Sequence, residues 1–100
     1  MTDMSKSYAD ALFSLALETN TVFETMIALK EMRDGLYGTE GALDLLASPS
    51  IPKDERCAVL EKAFGAVNPE HVMSFVGVLV QHGHIRELND CVEAYTALHD

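Results

Sequence analysis

Cationic residues are scarce in this chain: seven lysines and arginines stand against sixteen aspartates and glutamates, a formal net charge of −9. The acids are spread through both halves, so nucleic acid and anionic membrane surfaces, which attract basic patches, are not expected partners. A neutral or basic protein surface suits this balance. Cysteine is sparse too. Cys57 and Cys91 have no close spacing and read as buried, reduced thiols of a cytosolic protein, with one disulfide in a secreted domain as the alternative. Only three prolines, beside 48% hydrophobic residues, exclude a disordered tract. No apolar run approaches the roughly 18 residues of a membrane span, so no insertion into a bilayer is expected. The opening Met1-Thr2-Asp3-Met4 lacks the basic-then-apolar pattern of a signal peptide and the Arg-rich pattern of a transit peptide.

Signatures of catalysis are missing as well. His82 and His84 flank Gly83, with Cys91 one helix further on. Zinc needs four well-placed ligands, and neither a Cys-x-x-Cys nor a His-x-x-x-His pair occurs. Histidines at a helix end, facing free carbonyls, explain this cluster. Cys57 has acids, Lys53 and Arg56 around it but no nearby histidine, which argues against an activated nucleophile. Gly35, Gly38 and Gly41 lie too far apart for a phosphate-binding loop. The expectation is no catalytic residue, no metal and no cofactor.

What is present is helical signal from end to end. One hundred residues suffice for one domain with its own core. The first helix is expected from about Ser5 to Thr19. Thr21 and Glu24 form an S/T-x-x-E capping box opening the second, which carries Val22, Met26, Leu29 and Met32/Arg33 inward until Gly35 and Gly38 fray it. Thr39 is expected to cap a short third helix ending at Ala47. The corner Ala47-Ser-Pro-Ser-Ile-Pro-Lys53 follows: Pro49 pushes Ser48 out of helical geometry, and Pro52 suits a helix's first turn. Ile51, between them, is a candidate core plug. The fourth helix places Val59, Leu60 and Ala63/Phe64 inward and takes Gly65 as its C-terminal cap. Asn68-Pro69-Glu70 signals the fifth, with a capping side chain, a proline at the first position and an acid next. Gly83 ends the fifth. A sixth helix from about Ile85 to Leu98 carries Leu88, Val92, Tyr95 and Leu98. Short connectors make this an all-α fold, a compact six-helix antiparallel bundle. Phe13, Leu29, Leu60, Phe64, Phe75, Leu79 and Leu88 are the expected core.

Two helices are more apolar than a bundle requires. Between Tyr8 and Leu17 only Asp10 and Ser14 interrupt the apolar set, and Val72 to Val80 carries no charge at all. Either both are central and buried on every side, or each buries one face and offers the other. Small residues at Ala11, Ser74 and Gly77 favour the second reading, because they leave a shallow trough for an amphipathic partner helix. A mid-helix glycine loses about 1 kcal/mol relative to alanine, so a close approach at Gly77 is expected.

Five stretches in order resemble a known family. They are Tyr8-Ala9-Asp10-Ala11-Leu12-Phe13-Ser14-Leu15-Ala16, Ser48-Pro49-Ser50-Ile51-Pro52, Phe64-Gly65, the uncharged fifth helix, and its Leu79-Val80-Gln81-His82-Gly83 ending. Their types and spacing are similar to the N-terminal half of the delta subunit of F-type ATP synthase, called OSCP in mitochondria. His84 departs from the pattern, since the family usually has arginine there. The resemblance implies a six-helix bundle on top of the catalytic α3β3 head, part of a non-catalytic peripheral stalk that holds the head against rotation. It implies binding of an α-subunit N-terminal helix between the first and fifth helices. Tyr8, Ala11, Leu12 and Leu15 form the stripe expected on the first helix, and Ser74, Gly77, Val78 and Gln81 the stripe on the fifth. The half that engages the b-subunit stalk is expected to be missing, leaving an N-terminal domain that is a monomer in isolation. The implied location is the cytoplasmic side of a bacterial inner membrane, peripheral to the complex. An interaction module of another pathway is the runner-up, and a small metal sensor or thiol enzyme the third reading.

Overall fold

The computed structural model describes residues 2–66 and 68–100. Its helices are α1 (Asp3–Glu18), α2 (Val22–Gly38), α3 (Ala42–Ala47), α4 (Lys53–Phe64), α5 (Glu70–Gln81) and α6 (Leu88–His99), the last preceded by a single 3-10 turn over Ile85–Glu87. No strand occurs among the described residues. The expected all-α bundle is present, with boundaries within about three residues of those read from the sequence. The radius of gyration, 12.7 Å, matches the roughly 13 Å of a compact chain this long.

Helix ends are where local signals and structure part. The capping box predicted at Thr21 and Glu24 does not form. Instead the Thr21 hydroxyl bonds with those of Thr19 and Thr25. A capping box exists one helix earlier, where Thr2 and Ser5 cap each other at the start of α1. Thr39 does not cap α3; its hydroxyl donates to the Gly35 carbonyl at 2.7 Å and closes α2, which stays helical through Gly38. Gly41, at φ +81°, precedes α3. Pro52 and Pro69 stand one position before their helices rather than at the first helical residue. The Asn68 amide turns back to the Phe64 carbonyl, so it ends α4 rather than starting α5. Gly65 is right-handed, not a left-handed cap.

Two left-handed caps do form. At the end of α5, His84 N–H donates to the Leu79 carbonyl and Gly83 N–H to that of Val80, with Gly83 at φ +74°. That is the Schellman arrangement. Asn20, at φ +57°, does the same for α1, with Thr21 N–H on Ala16 and Asn20 N–H on Leu17. Asparagine tolerates this region better than other side chains.

Core packing follows the apolar stripes with corrections in α4. Leu29, Leu60, Phe75, Leu79 and Leu88 are buried, while Phe13 and Phe64 are half-buried and pack against the core. Val59, expected inward, is 47% exposed, and Ala63 is exposed too. The inward row of α4 is Arg56 and Leu60. Arg56 reaches into the corner and donates from Nε to the Ile51 carbonyl (2.9 Å) and from Nη1 to the Leu46 carbonyl (3.1 Å). These are carbonyls at the end of α3 and in the connector, where helical partners have run out. A buried cation thus holds the corner, beside the half-buried Ile51.

α1 packs chiefly on α6, α2 on α6, and α4 on α5. The Phe13 and Tyr95 rings meet edge to face at 5.4 Å, and the Tyr95 hydroxyl donates to the Val22 carbonyl at 2.7 Å. This arrangement leaves the side of α1 away from α6, and one side of α5, beside each other.

Candidate functional site: a trough between α1 and α5

Tyr8 meets Phe75 edge to face, with centroids 6.1 Å apart and planes at 81°, and lies 6.1 Å from the His84 ring. Two turns further along α1, Leu15 faces His71 and Glu70 across an open trough. The end of α5 therefore lies at the start of α1, and the two helices run antiparallel. Between them is a concavity of about 540 Å³, lined by Ala11, Leu12, Leu15, Glu70, His71, Ser74, Phe75 and Val78.

Five of the eight residues picked from the sequence come together here: Ala11, Leu12, Leu15, Ser74 and Val78. Leu12 and Phe75 are buried and form the floor. Leu15 and Val78 form the walls, 39% and 38% exposed, so neither helix is buried on every side. Tyr8 stands at the rim, half-buried against Phe75. Gly77 and Gln81 line only a smaller groove of about 290 Å³ on the α4 side, with Cys57, Leu60 and Met73; Ser74 and Val78 lie on the ridge between the two and border both. Helix geometry explains the split, because Glu70, Ser74 and Val78 form one i, i+4 row and Gly77 and Gln81 another. Apart from its chain neighbours and the backbone of its own helix, no described atom lies within 4 Å of where a Cβ on Gly77 would stand. The close approach expected there is not made by this chain.

Glu70, His71 and Phe75 line the trough without having been among the expected groove residues. Running the Ser74–Val78 row back one turn finds Glu70. Phe75 and His71 form the adjacent row. His71 is held from behind, its Nε2 lying 2.7 Å from the hydroxyl of Thr25, a fully buried residue of α2.

Nothing here is arranged for bond-making. No group of three or more His, Cys, Asp or Glu that could hold a metal occurs among the described residues. His84 is engaged by the Tyr8 ring, and Cys91 lies apart in the core. Both cysteines are free, Cys91 buried and Cys57 half-buried. Burial, with Glu87 and Asp90 adding to it, pushes the Cys91 thiol up to about 11, which keeps it protonated and inert. Among the described residues no helix is long and apolar enough to cross a membrane.

The family model described as ATP synthase delta (OSCP) subunit matches residues 4–100. The chain belongs to that family. This delta-family chain is 29% identical to an ATP synthase subunit delta of Bacillus pumilus (strain SAFR-032), over 98% of its own length and 54% of the relative's. It is 28% identical to that of Anaeromyxobacter sp. (strain Fw109-5) and 30% identical to that of Anaeromyxobacter dehalogenans (strain 2CP-C), in each case over 100% of this chain and 56% of the relative. The chain spans about half the length of the curated relatives it matches.

Proposed function

We propose that this chain is a non-catalytic part of the peripheral stalk of a bacterial F-type ATP synthase, and that its α1–α5 trough seats the N-terminal helix of an α subunit. The observation that carries the reading is the trough itself. Two apolar helices leave a floor of Leu12 and Phe75, small residues at Ala11 and Ser74, and branched apolar walls open to solvent. An amphipathic helix fills such a shape with side chains one turn apart. Ala11 and Ser74 let it approach, Leu12 and Phe75 supply the floor, and Leu15, Val78 and Tyr8 bound it. Gly77 and Gln81 flank the site on the α4 side. The role is mechanical: a stalk anchored on the head keeps it still while the rotor turns. Membership of the delta (OSCP) family supports this reading, as does a net charge of −9, which suits a neutral or basic guest. Contact with the b-subunit stalk belongs to sequence beyond the region matched here.

Val78→Asp tests it. Because Val78 is 38% exposed in the free domain, the variant should keep its helical circular dichroism and thermal midpoint. Calorimetry with an α-subunit N-terminal peptide should show binding weaker by about 2 kcal/mol or more, since the carboxylate is desolvated against apolar anchors. Unchanged affinity would move the site elsewhere, and unfolding would place Val78 in the core.

A further inference from the structure

Four side chains form a hydrogen-bond relay from the end of α1 to the trough. Thr19 Oγ1 donates to the Leu15 carbonyl at 3.1 Å. A carbonyl only accepts, so the Thr19 proton is committed, and its oxygen takes the proton of Thr21 Oγ1 at 2.7 Å. Thr21 in turn accepts from Thr25 Oγ1 at 3.3 Å. Thr25 is fully buried, so its hydroxyl needs its partners within the protein. With the Thr25 proton toward Thr21, its oxygen accepts from His71 Nε2 at 2.7 Å; with the roles reversed it would donate there. In the first arrangement Nε2 carries the hydrogen, and in the neutral ring Nδ1 is a bare acceptor. Nδ1 has no partner among the described residues, yet no buried side-chain polar atom there lacks one. Solvent thus reaches Nδ1, on a ring that lines the trough.

Glu70, the residue before it, lines the same end of the trough. An acceptor nitrogen and a carboxylate stand there beside walls that are otherwise apolar or small. A lysine or arginine at that end has an acceptor in either group, whereas an acidic or purely apolar guest leaves both without a partner. We propose that His71 and Glu70 form an orienting subsite that receives a basic side chain of the docked helix, so that the helix seats in one direction, its basic end toward the start of α5. This rests on the groove reading above and adds what the guest must carry and which way it lies.

Nitrogen-15 imidazole spectra and peptide titration test it. In the free, unaltered chain His71 should be the Nε2–H tautomer, and Thr25→Val, which removes the acceptor, should mix the two tautomers. Adding an α-subunit N-terminal peptide should shift the Nδ1 resonance toward its hydrogen-bonded value. His71→Phe, which keeps a flat ring, should lower peptide affinity about tenfold. Replacing the peptide's basic residue at that end by norleucine should cost a similar factor, with little added loss in the double change. An Nδ1–H tautomer, an Nδ1 resonance that ignores the peptide, or full affinity in a folded His71→Phe variant would overturn the subsite and leave the groove standing. A peptide that does not bind the unaltered chain overturns the groove reading, and this inference with it.

Discussion

Gly77 and Cys91 show how much a residue's role depends on what lies opposite. An alanine Cβ at position 77 meets nothing within 4 Å, so Gly77→Ala should stabilise the free domain by about 0.5–1 kcal/mol through helix propensity and a less flexible unfolded chain. A raised denaturation midpoint would show it. Gly77 lines the α4 side rather than the trough, so α-peptide affinity should be unchanged, and a marked loss would mean that the guest reaches over α5. Cys91 reports on pH. Its thiol is held protonated in the fold, up to about 11 against an ordinary 9.0. The unfolded chain therefore loses that proton first, and stability should be intact below about pH 9 and fall as pH rises toward 11, by roughly 2 kcal/mol. Tyr95, raised by burial as its largest cause, acts in the same sense above pH 10. Denaturant midpoints across pH 8 to 11 would measure the slope, which Cys91→Ala should reduce.

At the scale of the element, α4 and its corner are the most informative part. The two prolines set where α3 stops and α4 starts, but they do not hold the corner closed. Arg56 does so, with one donor on Leu46 and another on Ile51. Arg56→Ala leaves both carbonyls without that partner and should cost about 2 kcal/mol, measured by chemical denaturation. Arg56→Lys, a point donor without the guanidinium fork, should recover only part of the loss. In the sequence Arg56 is one of the charges around Cys57, and nothing local marks it for the interior, since arginine is rarely buried. The same holds for the caps. Thr21, Thr39 and Asn68 are good capping residues by type, yet Thr39 and Asn68 are drawn to the helix before them and the Thr21 hydroxyl bridges those of Thr19 and Thr25. A hydroxyl or amide serves a carbonyl behind it as readily as an N–H ahead, and local sequence does not rank the two.

Across the whole molecule, charge and binding are separate matters. The −9 net charge is spread over the surface, while the trough is mostly apolar with one acid, Glu70, among its lining residues. Raising salt should therefore weaken α-peptide binding only slightly, because exposed charges more than about 10 Å apart are already screened at 0.1 M. A titration series from low to high salt checks this. A steep loss would indicate a partner held by the acidic surface rather than by the groove.

Six helices, their order and most of the buried rows were legible because each depends on neighbours three or four residues apart. The excess of apolar residues on α1 and α5 was legible for the same reason, and it pointed to an open face. Which rows of that face share a trough was not. Ser74 and Val78 border the trough while Gly77 and Gln81 face only α4, because the rotation of α5 is set by how Phe75, Val76, Leu79 and Val80 pack inside. No local pattern encodes that angle. The bond between Thr25 and His71 spans 46 residues, so only the folded chain could bring a buried hydroxyl behind an imidazole.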